Sequence, residues 1–455
     1  MKPNRILIPS FVLLISLTLS ACTGTSTPLA TLDTNHAATA VAGTMTAFVA
    51  PTSTATNAPH ELPSVTVIPE TGGIRAVFVS ADHNVYTWTP GESSFTRVTS
   101  SGDADAALVS PDGSLIAFTR TTDFQAYSLD VIGSDGSNQH TLFTHDQFSA
   151  LPRPELTLDA KPQQIEWVPN THLLSMTVSY ILEGPGLDIG PDLIEINADN
   201  GTHHTLLSVN EIRQFAFSPD GSKIVVSLPD GIDLYKSDGT ALAPSKFFAF
   251  PIVNTASEVP FTPDVFWSQD GNEFAFTIPP VEPFSDPTGE NRVIEVKAAD
   301  TSVTTPLSTP MAYMGVNGFS PDLSKFAYTK TVESTPGMVN LHIANLDGSG
   351  DEVYLANVNV NNFAWSPDNQ HFIYSLNEDG SVSTYMGQIG SKGSKITEVV
   401  SLREVKWIYD NQYLILDKTI GGWKIWLGKI GSSPAAVYTD SNMGEISGDR
   451  LSMNQ

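Results

Sequence analysis

A single cysteine, Cys22, among 455 residues excludes an intramolecular disulfide, so the fold is held by noncovalent contacts. Positive charge is scarce as well. Lys and Arg total 23 against 49 Asp and Glu, for a formal net charge of −26. A chain without clustered Lys and Arg offers no grip on nucleic acid phosphates and no electrostatic attraction to anionic lipid. Its acidity reads as solubility at an exposed surface. No Gly-x-Ser-x-Gly elbow occurs, which excludes the nucleophile turn of the serine hydrolases. No phosphate-binding glycine loop opens a helix, and helical patterning is nearly absent. Histidines group only as His203-His204 and His140/His145, without the recurring carboxylate or third histidine that a metal site needs. The segment Asp347-Gly348-Ser349-Gly350-Asp351 lacks the closing Glu of a calcium loop and reads as a hairpin turn.

The one long apolar run is at the start. Lys2 and Arg5 precede a stretch from Ile6 to Leu19 that ends in Leu19-Ser20-Ala21-Cys22. Charge, length and small-residue ending make residues 1–21 a signal peptide, too short for a comfortable membrane span. Leu-Ser-Ala-Cys also resembles the bacterial lipobox, which implies that Cys22 becomes the lipid-modified first residue of the mature chain. Acyl chains contribute about 0.8 kcal/mol per buried methylene, enough to tether the protein on the extracytoplasmic side of the cell membrane. Residues 22–63 are dominated by Thr, Ser, Ala and Pro with hardly any charge. Such a segment cannot bury enough apolar surface to fold alone, and reads as a flexible linker with a reach of about 35 Å. Residues 64–455 form the globular domain.

Across this domain a short phrase recurs. Its best copies are Phe217-Ser218-Pro219-Asp220-Gly221, Phe319-Ser320-Pro321-Asp322 and Trp365-Ser366-Pro367-Asp368, with Val109-Ser110-Pro111-Asp112-Gly113 and Trp267-Ser268-Gln269-Asp270-Gly271 as variants. Anchors fall at Ser110, Val168, Ser218, Ser268, Ser320, Ser366 and Ile408, a period of roughly fifty residues that fits a four-stranded blade. The third unit shows the pattern best, with strands expected at 215–218, 223–228, 231–236 and 246–250. Asp-Gly turns at Asp135-Gly136, Asp238-Gly239 and Asp347-Gly348, and an Asn-Gly turn at Asn200-Gly201, predict hairpins of type I′. The residue before each anchor is Val109, Trp167, Phe217, Trp267, Phe319, Trp365 or Trp407, a mostly aromatic stripe that would wedge between adjacent sheets.

These turns make the chain similar to the TolB-type, WD-repeat-like β-propellers, whose blades carry the Ser-Pro-Asp-Gly signature. The resemblance covers most of the chain after residue 73 and implies an all-β propeller of four-stranded antiparallel blades. It says little about function, because one fold hosts many. TolB proper has a further N-terminal α/β domain, in whose place this chain has only the Thr- and Ser-rich segment, so TolB's partners are not implied. Residues 75–80, 84–88 and 95–99 supply strands two to four of a blade that lacks its first, and Met443–Leu451 can supply the missing inner strand. Closing the ring this way removes open edges and makes eight blades; without that strand the count is seven.

Long connections (144–162, 182–191, 251–263, 279–291 and 330–337) all lie between strands two and three or between one blade and the next. Both kinds emerge on one face, and insertions gathered on one face mark a binding face. Four residues before successive anchors sit Ala106, Gln164, Gln214, Asp264, Val316, Asn362 and Glu404, with Glu166 nearby. The polar members, Gln164, Glu166, Gln214, Asp264, Asn362 and Glu404, are expected to ring the channel mouth, where they could hold water, a polar group or a Ca²⁺ ion. Three functions compete. The first is a noncatalytic scaffold that binds another envelope or extracellular protein, with Phe148, Phe261 or Phe284 displayed on loops. The second is a glycan-directed enzyme using Asp264, Glu166 and Glu404. The third is a ligand- or metal-sensing domain.

Overall fold

The computed structural model describes residues 75–453, except 123–125, 184–186, 191, 210–211, 257–259, 287, 313–316, 410 and 443–450. Residues 1–21, Cys22 and the 22–63 segment lie outside the described residues, as does Val316. The described chain is an eight-bladed β-propeller of four-stranded antiparallel sheets. Counting from the strand Ala104–Val109, seven blades are continuous in sequence and the eighth is shared by the two ends.

The third blade illustrates the plan. Gln214–Phe217, Lys223–Leu228, Gly231–Lys236 and Phe248–Ala249 lie side by side in sequence order. Only the outermost strand is shorter than its apolar pattern suggests. In the second blade the inner strands Thr157–Trp167 and Leu173–Leu182 are longer, and the third strand is broken into Leu187–Ile189 and Asp192–Asn197, both paired with Leu173–Leu182. Ring closure resolves the count. Leu451–Met453 pairs antiparallel with Ala76–Val79, setting Phe78 opposite Leu451 and Ala76 opposite Met453.

The repeated phrase works by turn chemistry. In four blades the anchor serine hydroxyl donates to the aspartate two residues on: Ser110 to Asp112 at 2.7 Å, Ser218 to Asp220 at 2.5 Å, Ser268 to Asp270 at 2.6 Å and Ser320 to Asp322 at 2.7 Å. The same hydroxyl accepts the backbone N–H five residues on, at Leu115, Lys223, Glu273 and Lys325. The aspartate in turn accepts the N–H of Ser114, Ser222, Asn272 or Ser324. Strand two is thus launched with its first donors satisfied, each bond stabilising by about 1 kcal/mol. Gly221 is required on two counts. Its φ is +71°, and a side chain there would meet the Pro169 carbonyl of the neighbouring blade at 2.7 Å.

The outer Asp-Gly hairpins depart from the expected type I′. Gly136, Gly239 and Gly348 have positive φ, whereas Asp135, Asp238 and Asp347 do not. Gly136 donates to the Gly133 carbonyl and Gly133 to that of Ser137, the pattern of a type I turn followed by a glycine bulge. The reason is the aspartate itself. Its carboxylate accepts from the N–H two residues on, at Ser137, Thr240 and Ser349, and this secures the right-handed conformation that spares a side chain the cost of positive φ.

Between blades most of the buried contact is apolar. Val225, Ile232, Leu234 and Phe250 of the third blade bury against Phe274, Phe276, Ile278, Ile294 and Val296 of the fourth. Each such side chain stabilises by about 1.5–3 kcal/mol relative to exposure. The aromatic stripe joins this core and does one thing more. The indole N–H of Trp167 donates to the Leu108 carbonyl at 3.2 Å, that of Trp267 to Ala216 at 3.2 Å and that of Trp365 to Gly318 at 2.9 Å. In each case the acceptor lies two residues before the preceding blade's anchor, so the tryptophans staple neighbouring inner strands. Trp407 is the exception: its buried indole N–H has no hydrogen-bond partner among the described residues.

This difference is testable. Trp365→Phe should cost about 2 kcal/mol, because it removes both packing and a made bond. Trp407→Phe should cost less than half as much, since it also removes an unsatisfied donor. Guanidinium unfolding midpoints of the two variants check this, and the reverse order would refute the staple.

Candidate functional site

The polar residues expected at the channel mouth divide by what they bind. Gln164 reaches the inner strand of the third blade, donating from Nε2 to the Phe215 carbonyl at 2.8 Å while Oε1 accepts the Phe215 N–H at 3.1 Å. Asn362 donates to Ser375 at 3.0 Å and, at a long 3.5 Å, to the Leu402 carbonyl of the seventh blade. Glu404 accepts the Leu451 N–H of the shared blade at 3.1 Å and pairs with Lys406 at 3.0 Å. Three of the six side chains therefore cross to the next inner strand, which explains why polar residues recur at a register where packing alone would favour apolar ones. Gln214 is half-buried and Asp264 exposed, and neither makes a side-chain hydrogen bond among the described residues.

Glu166 differs from the rest. Gln164 Nε2 donates to its Oε1 at 2.5 Å. The residue is half-buried on the second blade's inner strand. Burial pushes its pKa up to about 7, against the opposing effect of the Gln164 bond. In the third blade, Arg213 is buried with Nε and Nη1 lacking partners among the described residues, although the adjoining 210–211 fall outside them. Among the described residues no three His, Cys, Asp or Glu side chains converge as a metal ion requires, and no helix is long and apolar enough to cross a membrane.

The loop-bearing face carries several exposed apolar groups. Ile252 is 58% exposed, Val281 45% and Phe284 59%. The two loops that hold them are tied together, with Asn254 N–H donating to the Val281 carbonyl at 2.8 Å and Asn254 Nδ2 to Glu282 at 3.0 Å. Leu156 and Leu158, at the base of the second blade's long inner strand, are 69% and 57% exposed. Phe148 is not displayed. The 144–162 connection holds a short helix, His145–Ala150, capped by Thr144, and Phe148 is fully buried against Phe143 with ring centroids 4.6 Å apart. Phe261 is half-buried. Periodicity alone could not tell Phe148 from Phe284; the cue was the Thr144-x-x-Gln147 capping box, which starts a helix and turns its apolar side inward.

No family model and no curated protein matches the chain. Solved structures superpose on it at low identity. A prolyl endopeptidase is similar with a TM-score of 0.47 and 9% identity, over 74% of this chain and 50% of that one. The β-propeller domain of the Trilobed protease from Pyrococcus furiosus gives a TM-score of 0.44 and 10% identity, over 76% and 98%. An oligogalacturonate lyase in complex with manganese gives 0.39 and 10%, over 78% and 81%. The likeness is one of fold. This chain spans about half the length of the prolyl endopeptidase.

The raised Glu166 carboxyl has a consequence for stability. A carboxyl whose folded pKa is about 7 against an ordinary 4.5 favours the protonated state in the fold. Ionisation therefore destabilises the native protein as pH rises from 4.5 to 7, by up to a few kcal/mol. Glu166→Gln should raise Tm at pH 8 and leave it nearly unchanged at pH 4.5. An equal Tm for variant and parent at pH 8 would refute this.

Proposed function

We propose that this chain is a membrane-anchored extracytoplasmic lipoprotein of the TolB-like propeller kind, tethered through Cys22. Its propeller is a noncatalytic scaffold that binds another envelope or extracellular protein through the loop-bearing face. The observation that carries the reading is Ile252, Val281 and Phe284, three apolar side chains left exposed on two loops that hydrogen bonds hold in register. Apolar surface gathered on ordered loops marks a protein-binding site. The leader and linker composition of residues 1–63 supports export and tethering.

The enzyme alternative draws support from Glu166, because a carboxyl near pH 7 can act as a general acid. Its would-be partners suit the task less well. Glu404 is engaged by Lys406 and the Leu451 N–H, and Asp264 stands exposed. The scaffold reading is therefore preferred.

Two experiments test it. Crosslinking capture from native envelope should retrieve a discrete partner with the full chain. A variant carrying Ile252→Ser, Val281→Ser and Phe284→Ser should lose that partner while its Tm stays close to the parent's. Retention of the partner would move the site off these loops. Separately, Cys22→Ser should abolish labelling by a fatty-acid analogue and release the chain from the membrane fraction; continued labelling would refute the anchor.

A further inference from the structure

The seam where the ring closes contains a cleft that the scaffold reading does not use. It has a volume of about 370 Å³ and lies between the shared blade and the last strand of the seventh, Ser432–Asp440. Asp82, Tyr86 and Phe95 line one side, and Val437, Tyr438 and Asp440 the other. Asp82 sits in the turn between the shared blade's second and third strands and Asp440 ends an outermost strand, so the acidic end of the cleft opens toward the loop-bearing face.

The chemistry of the two walls is matched. On one side Tyr86 donates its hydroxyl to Asp82 Oδ2 at 3.3 Å; on the other Tyr438 donates to Asp440 Oδ2 at 3.2 Å. The two phenol rings meet edge to face with centroids 5.3 Å apart. Phe95 lies 6.3 Å from Tyr438, and Phe78 backs the group at 4.7 Å from Tyr438 and 5.2 Å from Phe95. Among the described residues no Lys or Arg lines the cleft. Arg97 stands opposite Tyr86 on the neighbouring strand, with an exposed side chain, and its charge acts on the Tyr86 hydroxyl. Burial opposes ionisation of Asp82, but hydrogen bonds from Ser80 and Asn84 outweigh it and hold the carboxyl below its ordinary value, so it is charged at neutral pH. Burial first, then the adjacent carboxylates, hold both phenols above theirs, so they stay neutral rings.

Aromatic rings attract a cation through their quadrupole, and flanking carboxylates supply the countercharge. A cleft whose described lining holds three rings and two carboxylates and no Lys or Arg favours an organic cation over an anion or a purely apolar group. Two carboxylates are too few for a dedicated divalent site. We propose that this seam cleft is a binding site for an alkylammonium group, carried either by a free amine or by a lysine side chain of a partner. Because its two walls come from the two ends of the chain, an occupant gripping both holds the ring shut and stabilises the fold by linkage. The proposal stands independently of the partner-binding loops.

Calorimetric titration of the full chain with n-butylammonium, n-butanol and the capped peptide Gly-Lys-Gly provides the test, with Tm followed in parallel. The ammonium should bind one to one and raise Tm, and n-butanol should bind at least about tenfold more weakly. Binding of the peptide with comparable affinity assigns the site to a partner's lysine; binding of the free amine alone assigns it to a small amine. Asp440→Asn keeps an oxygen for the Asn442 N–H that Asp440 now accepts, so the variant should fold, with its parent Tm as the check. It should lose at least about tenfold in ammonium affinity. General attraction to an acidic surface cannot account for such a loss, since one carboxylate among 49 acidic residues hardly alters the overall field. Equal affinity for amine and alcohol, no binding of either cation, or unchanged affinity in Asp440→Asn would each overturn the proposal.

Discussion

The architecture depends on three residues, Leu451–Met453, pairing with three near the start of the described chain, 76–78. Leu451–Met453 is the inner strand of the blade whose other strands begin at Ala76, and without it the sheet led by Ala76–Val79 would present an open edge. With one cysteine in the chain, no disulfide can make this closure permanent. Polar and apolar contacts gather there instead. Glu404 takes the Leu451 N–H, the Ser452 hydroxyl accepts from Val109, Phe95 donates to the Val437 carbonyl, and Asn442 reaches the Ala81 carbonyl. Leu451 itself is buried in a cluster with Phe78, Trp88, Leu414 and Ile425. The last blade is thus bound to both its neighbours, and the aromatic cleft is a by-product of bringing two chain ends face to face.

Around the rest of the ring the same economy recurs. A short phrase of sequence sets a turn through Ser and Asp, and the aromatic residue before it seals the gap to the next blade. Many acidic residues are consumed in this way. Asp112, Asp220, Asp270 and Asp368 all accept backbone N–H groups. These bonds outweigh the opposing effect of burial and hold the carboxyls below their ordinary value, Asp220 at about 2. A carboxyl depressed in the folded state stabilises the fold above its unfolded value near 3.8, and that contribution is lost as pH falls below it. The acidity is therefore partly structural, and the reading of charge as solubility alone understates it.

What the sequence disclosed, and what it hid, follows from the range of each interaction. Strand positions in the third blade, the eight-blade count and the side on which long loops gather were legible because they rest on local patterns: alternation, turn residues and repeat spacing. The Asp-Gly turns were placed correctly but typed wrongly, since the pair Asp135-Gly136 suits two turns and only the Ser137 N–H that the aspartate captures decides between them. The polar inner register was visible as a pattern and opaque in meaning. Gln164 reads as a ligand-binding amide until the Phe215 backbone is brought beside it from 51 residues away. The seam cleft was beyond reach for the same reason, because Tyr86 and Tyr438 become neighbours only when the ring closes.

These assignments bear on where a propeller of this kind can work. Side chains lining the channel are the usual first suspects, yet here Gln164, Asn362 and Glu404 hold adjacent inner strands together, so recruiting them for a ligand would loosen the ring. Glu166 is the member with chemistry left over, a carboxyl that burial pushes up to about 7. The loop residues Ile252, Val281 and Phe284 stand exposed instead. Their exposed apolar groups lie outside the buried clusters between blades and would be replaced by polar residues at little cost to the fold. Surface that the fold does not need, ordered by bonds of its own, is where recognition can be built without weakening closure. At the centre, by contrast, Gln164, Asn362 and Glu404 are already engaged in holding neighbouring blades together.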